Sequence, residues 1–146
     1  MSTEFRPRIR ILKQDIDGRE LLPYALTKIR GIGIPFAHAL LRALRLPLNM
    51  RAGELSDAQI QLIEEALKKP PIPKWMYNRQ RDPETGKDMH LYTSDLEFAI
   101  KMDIKKMIEM RCWKGVRHMY GLKVRGQRTR TTGRKGRTVG VERKKK

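Results

Sequence analysis

Leu26-Thr27-Lys28-Ile29-Arg30-Gly31-Ile32-Gly33-Ile34-Pro35-Phe36-Ala37 has two apolar helical patterns separated by a Gly-Ile-Gly turn. The pattern predicts a helix–hairpin–helix. The paired glycines let the backbone turn tightly and come close to a phosphate. Unpaired N–H groups at the start of the second helix, reinforced by the helix dipole, then face an anion. Ile32 is placed to plug between the two helices. Gly31, Ile32 and Gly33 are therefore a candidate phosphate- or partner-facing hairpin. Such a contact positions a nucleic acid without reading its bases. Without a ligand, the same pattern is only a glycine-rich connector.

The helices extend outward from this turn. Pro23 to Ile29 reads as a short helix with proline near its start. On the other side, Pro35 suits a first turn, Ala37, Leu40, Leu41 and Leu44 recur at helical spacing, and Pro47 is the stop. A third helix starts at Ser56, with Gln59 as capping-box partner and Leu55 and Ile60 at staple positions. Its stripe of Ile60, Ile63 and Leu67 ends at Pro70-Pro71. Toward the N-terminus, Ile9 to Leu12 is a short extended stretch, and Asp17-Gly18 marks a turn.

Residues 71–93 carry no helical period. Asp82-Pro83 and Thr85-Gly86 lie between Trp75-Met76-Tyr77 and Met89, Leu91 and Tyr92, the pattern of a loose hairpin or an ordered loop. A loop of this length is expected to dock on something. Ser94 with Glu97 opens a fourth helix. Leu96, Ile100, Ile104, Met107 and Ile108 form one face, and the run reaches Met110 or Trp113. Gly115 and Gly121 bracket a short basic segment read as one last helical turn. The expected fold is all-α: a small helical body with a helix–hairpin–helix-like motif, a long C-terminal helix and an extended basic tail. The expected division is a body at 1–70, an insertion at 71–93, a long helix and basic segment at 94–121, and a tail at 122–146.

Charge divides the chain differently. Arg111 to Lys146 holds fourteen Lys or Arg against the single acid Glu142, which is +13 of the total +17. From Leu122 onward only Leu122, Val124, Val139 and Val141 are apolar. Such a segment cannot bury enough area to offset its ordering entropy, so it is expected to be disordered alone and ordered by a polyanion. Arginine forks phosphate oxygens, and arginine-rich segments fold on RNA. The candidate RNA contacts are Arg111, Lys114, Arg117, Lys123, Arg125, Gln127, Arg128, Arg130, Arg134, Lys135, Arg137 and Arg143. Trp113 is read as packing the end of the fourth helix on the body, with base stacking as the alternative. Trp75 is read as packing or protein contact.

Other classes fit poorly. A membrane-surface segment would need an apolar face that the tail lacks. No run is long enough to span a bilayer, and Met1 to Arg10 lacks the core of a signal peptide, so a cytoplasmic protein is expected. The single Cys112 allows no internal disulfide. His38, His90 and His118 are scattered, no zinc spacing occurs, and no nucleophile motif is present. No catalytic residue, metal site or cofactor is expected. A DNA-binding or repair accessory module built on the same hairpin is the main competitor, and an enzyme is the weaker one.

Three stretches carry a resemblance. They are Tyr24 to Gly33 (YALTKIRGIG), Gly53 to Asp57 (GELSD) and Trp113 to Thr131 (WKGVRHMYGLKVRGQRTRT). Together they resemble the universal small-subunit ribosomal protein family numbered thirteen, over nearly the whole chain. The ending from Thr131 to Val141 and the region from Pro70 to Thr93 resemble its archaeal form. The resemblance implies a structural protein in the head of the small ribosomal subunit, bound to its rRNA. It implies the nineteenth small-subunit protein as neighbour and the fifth large-subunit protein at an inter-subunit bridge. It also implies a tail running toward peptidyl-site tRNA, with Arg125, Arg128 and Arg130 in the matching motif.

Overall fold

The computed structural model describes residues 5–133. These form two compact units, one ending at Phe98 and the other beginning at Ala99.

The first unit opens with a feature that the all-α expectation lacked. Strands β1 (Arg8–Ile11) and β2 (Gln14–Asp17) pair antiparallel, Ile9 opposite Ile16 and Ile11 opposite Gln14. Alternation places Ile9, Ile11 and Ile16 in the core. Arg8 and Arg10 face outward, opposite Asp17 and Asp15. The hairpin turn is Leu12-Lys13, both left-handed at φ 48° and 65°. Neither residue favours that conformation, which costs ~1–2 kcal/mol for a non-glycine. The Leu12 N–H donates to Glu64 Oε1 at 2.9 Å, a bond from the turn to the third helix.

Helices α1 (Leu22–Leu26) and α2 (Ile34–Ala43) flank the glycine turn, and each carries proline in its first turn. The first is shorter than its pattern, because Thr27 to Ile29 continue as single turns that still bury Ile29. The second ends before Pro47. Arg45 takes φ 57° and Leu46 N–H closes onto Leu41 C=O at 2.9 Å, a Schellman-type stop. Helix α3 (Asp57–Lys68) starts as read: Gln59 N–H donates to Ser56 Oγ and Ser56 N–H donates to Gln59 Oε1. Leu22, Leu26, Ile29, Leu40, Leu41, Leu55, Ile63 and Leu67 fill the core of this unit.

Residues 70–92 are a densely bonded insertion. Arg79 and Met89 exchange backbone hydrogen bonds at 3.2 and 2.9 Å. Asp82 organises the turn beyond them. Its carboxylate accepts from Arg79 Nε at 2.6 Å, Thr85 Oγ1 at 2.8 Å and Thr85 N–H at 3.1 Å. These bonds from Arg79 and Thr85 hold the carboxyl down at about 2.

Helix α4 (Thr93–Glu109) begins one residue before the predicted cap, with Thr93 N–H on Arg30 C=O at 2.9 Å. Glu97 pairs with Arg30. None of its residues is fully buried: along the expected stripe Leu96, Ile104, Met107 and Ile108 are partly covered and Ile100 is exposed.

In the second unit α4 ends at Glu109, beside the nearer of its two expected bounds, Met110, and short of Trp113. Arg111 turns left-handed at φ 51° and a separate helix α5 spans Trp113–Met119. Cys112 caps it: the thiol donates to Met107 C=O and accepts Gly115 N–H, both at 3.3 Å. A Cβ at Gly115 would lie 2.0 Å from Met107 O, so this corner closes only on glycine. Gly115→Ala is expected to abolish α5 amide protection. The same substitution should leave the melting of the first unit within about 0.5 kcal/mol, since its core lies elsewhere. Hydrogen exchange with a parallel thermal melt checks both.

Candidate nucleic-acid interface

The glycine turn is built tightly and partly covered. Ile32 is buried, as its position between two helices requires. Gly31 sits at φ 105°, and a Cβ there would come 2.5 Å from Leu91 O. Its carbonyl is bonded to His90 Nε2 at 2.9 Å. Gly31 thus serves the insertion, which lies directly on the turn. Gly33 and Ile34 are exposed, and the N-terminus of α2 at Gly33 has no side-chain cap. These are the parts of the hairpin open to an anion.

His90 is the clamp, and no sequence signal marked it, because its partners lie far away in the chain. Its ring stacks on Phe36 at 4.0 Å between centroids and lies 4.7 Å from Tyr92. Asn78 N–H donates to Nδ1 at 3.2 Å, which leaves the proton on Nε2 for Gly31 C=O. The Asn78 side chain also brackets Leu91, donating to its carbonyl at 2.8 Å and accepting its N–H at 2.9 Å. Burial lowers the His90 pKa, opposed by the bond to Gly31. A lowered folded pKa means that the unfolded chain takes up the proton first. Stability from this site is therefore full above the unfolded value of about 6.5 and declines as pH falls below it. His90→Gln is expected to flatten that fall below about pH 6.5, read as melting temperature against pH.

The basic segment differs from the rest in its neighbours. In the first 110 residues cations meet acids: Arg10 with Asp15, Lys28 with Glu20, Arg79 with Asp82, Lys105 with Glu109. No acid occurs between Glu109 and Glu142. Arg111, Lys114, Lys123, Arg125, Arg128 and Arg130 are exposed in that acid-free stretch. The path from 122 to 133 has neither helix nor strand. Gly121, at φ 64°, ends α5, with Leu122 N–H on Arg117 C=O at 2.9 Å.

Two candidate contacts have internal work. Arg117 is half-buried, donating Nε–H to Lys123 C=O at 2.6 Å, with its guanidinium 5.6 Å from the Trp113 ring centroid. Gln127 accepts the Arg125 N–H at 3.0 Å across a turn at Gly126. Arg134, Lys135, Arg137 and Arg143 lie outside the described residues. Among the described residues no group of His, Cys, Asp or Glu could hold a metal ion, and no helix is long and apolar enough to cross a membrane.

Comparison with known proteins gives a consistent result. A family model described as ribosomal protein S13/S18 matches residues 10–135. The small ribosomal subunit protein uS13 of Saccharolobus solfataricus is 51% identical over 148 residues, covering 99% of this chain and 90% of its own. That of Methanopyrus kandleri is 51% identical over 146 residues, 97% of each chain. That of Methanothermobacter thermautotrophicus is 48% identical over 149 residues, 100% of each.

Proposed function

The chain belongs to the ribosomal protein S13/S18 family, and we propose from that membership that it is a structural, non-enzymatic protein of the small ribosomal subunit that binds rRNA during translation in the cytoplasm. The observation that carries this reading is the exposed, acid-free cationic stretch that follows α5. A polyanion meets there many cations and few carboxylates of the segment itself, and each phosphate neutralised releases counterions.

The mechanism is placement plus neutralisation. The helical body orients the protein, with the open Gly33 end of α2 set against a phosphate while Ile32 anchors the turn and Gly31 seats the insertion. Arg111, Lys114, Lys123, Arg125, Arg128 and Arg130 then fasten rRNA segments of the head. Arg134, Lys135, Arg137 and Arg143 extend the same chemistry toward peptidyl-site tRNA. The body at 1–70, with the insertion at 71–93, faces protein neighbours. These are the nineteenth small-subunit protein and, at an inter-subunit bridge, the fifth large-subunit protein. The segment 94–121 delivers the tail at 122–146.

Competition binding distinguishes this from a DNA accessory module. At matched salt and phosphate count, the full chain should bind a head-domain rRNA fragment at least about tenfold more tightly than duplex DNA. Equal or tighter binding to the duplex would favour the DNA module.

A further inference from the structure

Helix α5 carries more than charge. Trp113 opens α5, Arg117 follows one turn on, and Tyr120 caps the C-terminal end seven positions from Trp113, so the spacing puts the three on one side. Trp113 is 72% exposed and Tyr120 68% exposed. Large aromatic rings left in water need a partner with an apolar face. That partner must also tolerate Arg111, Lys114, Arg117 and Lys123, in a stretch with no acid between Glu109 and Glu142. An unpaired nucleotide meets both conditions, since it carries a flat base and a phosphate.

Resting on the RNA-binding reading above, we infer that the Trp113–Arg117–Tyr120 face of α5 is a stacking platform for unpaired RNA bases. Arg117 is the fixed centre of this face. Its bond to Lys123 C=O and its position over Trp113 hold the guanidinium beside the ring and the tail start beside the helix. One ring face of Trp113 is thereby occupied by a cation, and the exposed remainder receives the base. Tyr120 lies about 10 Å further along the axis at 1.5 Å per residue, so it takes a separate nucleotide. The platform thus favours single-stranded loops or bulges, whereas the tail holds phosphates of any strand.

The test uses the full chain and two RNA probes. One is a hairpin with an unpaired loop, the other a blunt duplex with the same number of phosphates. In a Trp75→Phe background Trp113 is the sole remaining tryptophan of the two. The looped RNA should quench its emission, and the duplex should not. Trp113→Leu should weaken looped-RNA binding by about tenfold, leaving duplex affinity and the salt slope unchanged. Trp113→Phe should restore most of the loss. Unchanged emission on looped RNA, or an equal loss on the duplex, overturns the platform. So does full-strength looped-RNA binding by Trp113→Leu, which would hand this face to a protein neighbour. Failure of the unsubstituted chain to bind either RNA would instead overturn the RNA-binding reading itself.

Discussion

Replacing Arg125, Arg128 and Arg130 together by glutamine is expected to weaken rRNA binding by about a hundredfold at 0.1 M salt. The slope of log affinity against log salt should fall by about two to three at the same time. The reasoning is electrostatic. These arginines sit in a stretch of sequence with no acid between Glu109 and Glu142, where cations far outnumber carboxylates. Glutamine keeps some length and hydrogen bonding but releases no counterions. The first unit, with its core between Ile9 and Ile72, should melt as before. Filter binding or anisotropy over a salt series separates the outcomes. A slope that does not change would mean that these residues do not meet phosphate.

Gly31→Ala is expected to cost about 2–4 kcal/mol of stability, among the larger effects for a single substitution. Two penalties combine. An alanine at φ 105° leaves the allowed region, and its Cβ would lie 2.5 Å from Leu91 O, a backbone atom that cannot rotate away. Relief requires the insertion to lift. That in turn breaks the His90 bond to Gly31 C=O and loosens the stack on Phe36. Denaturant unfolding measures the cost, and amide exchange at Leu91, which donates to Asn78 Oδ1, reports whether the insertion has moved. Gly33→Ala is the control, since the nearest atom to a Cβ there is 3.8 Å away and its φ is −97°.

Some elements were legible because their signals are local. Ser56 and Gln59 lie three residues apart and satisfy each other, so α3 could be started from sequence. Pro23 and Pro35 mark the starts of α1 and α2 for the same reason. The cationic segment was equally plain, since charge needs no folding to be counted. What escaped depends on distant partners. The β1–β2 hairpin turns on Leu12-Lys13, which carry no turn chemistry, and the bond to Glu64 that marks the turn comes from 52 residues away. The α4–α5 corner hinges on Arg111 in a left-handed conformation and on the gap between Gly115 and Met107 O, invisible without coordinates. His90 looked like a scattered histidine until Gly31, 59 residues earlier, met it. The candidate contacts show the same limit. Residue type named Arg117 and Gln127 as RNA contacts, but only the fold shows each holding the chain itself.

The most direct test of the central claim is sedimentation of a lysate of cells carrying this chain through a low-salt sucrose gradient. The full-length protein should travel with the small-subunit peak and leave it only at high salt, as expected for binding dominated by phosphate contacts. Absence from that peak at low salt, with the protein intact near the top of the gradient, would contradict the ribosomal account.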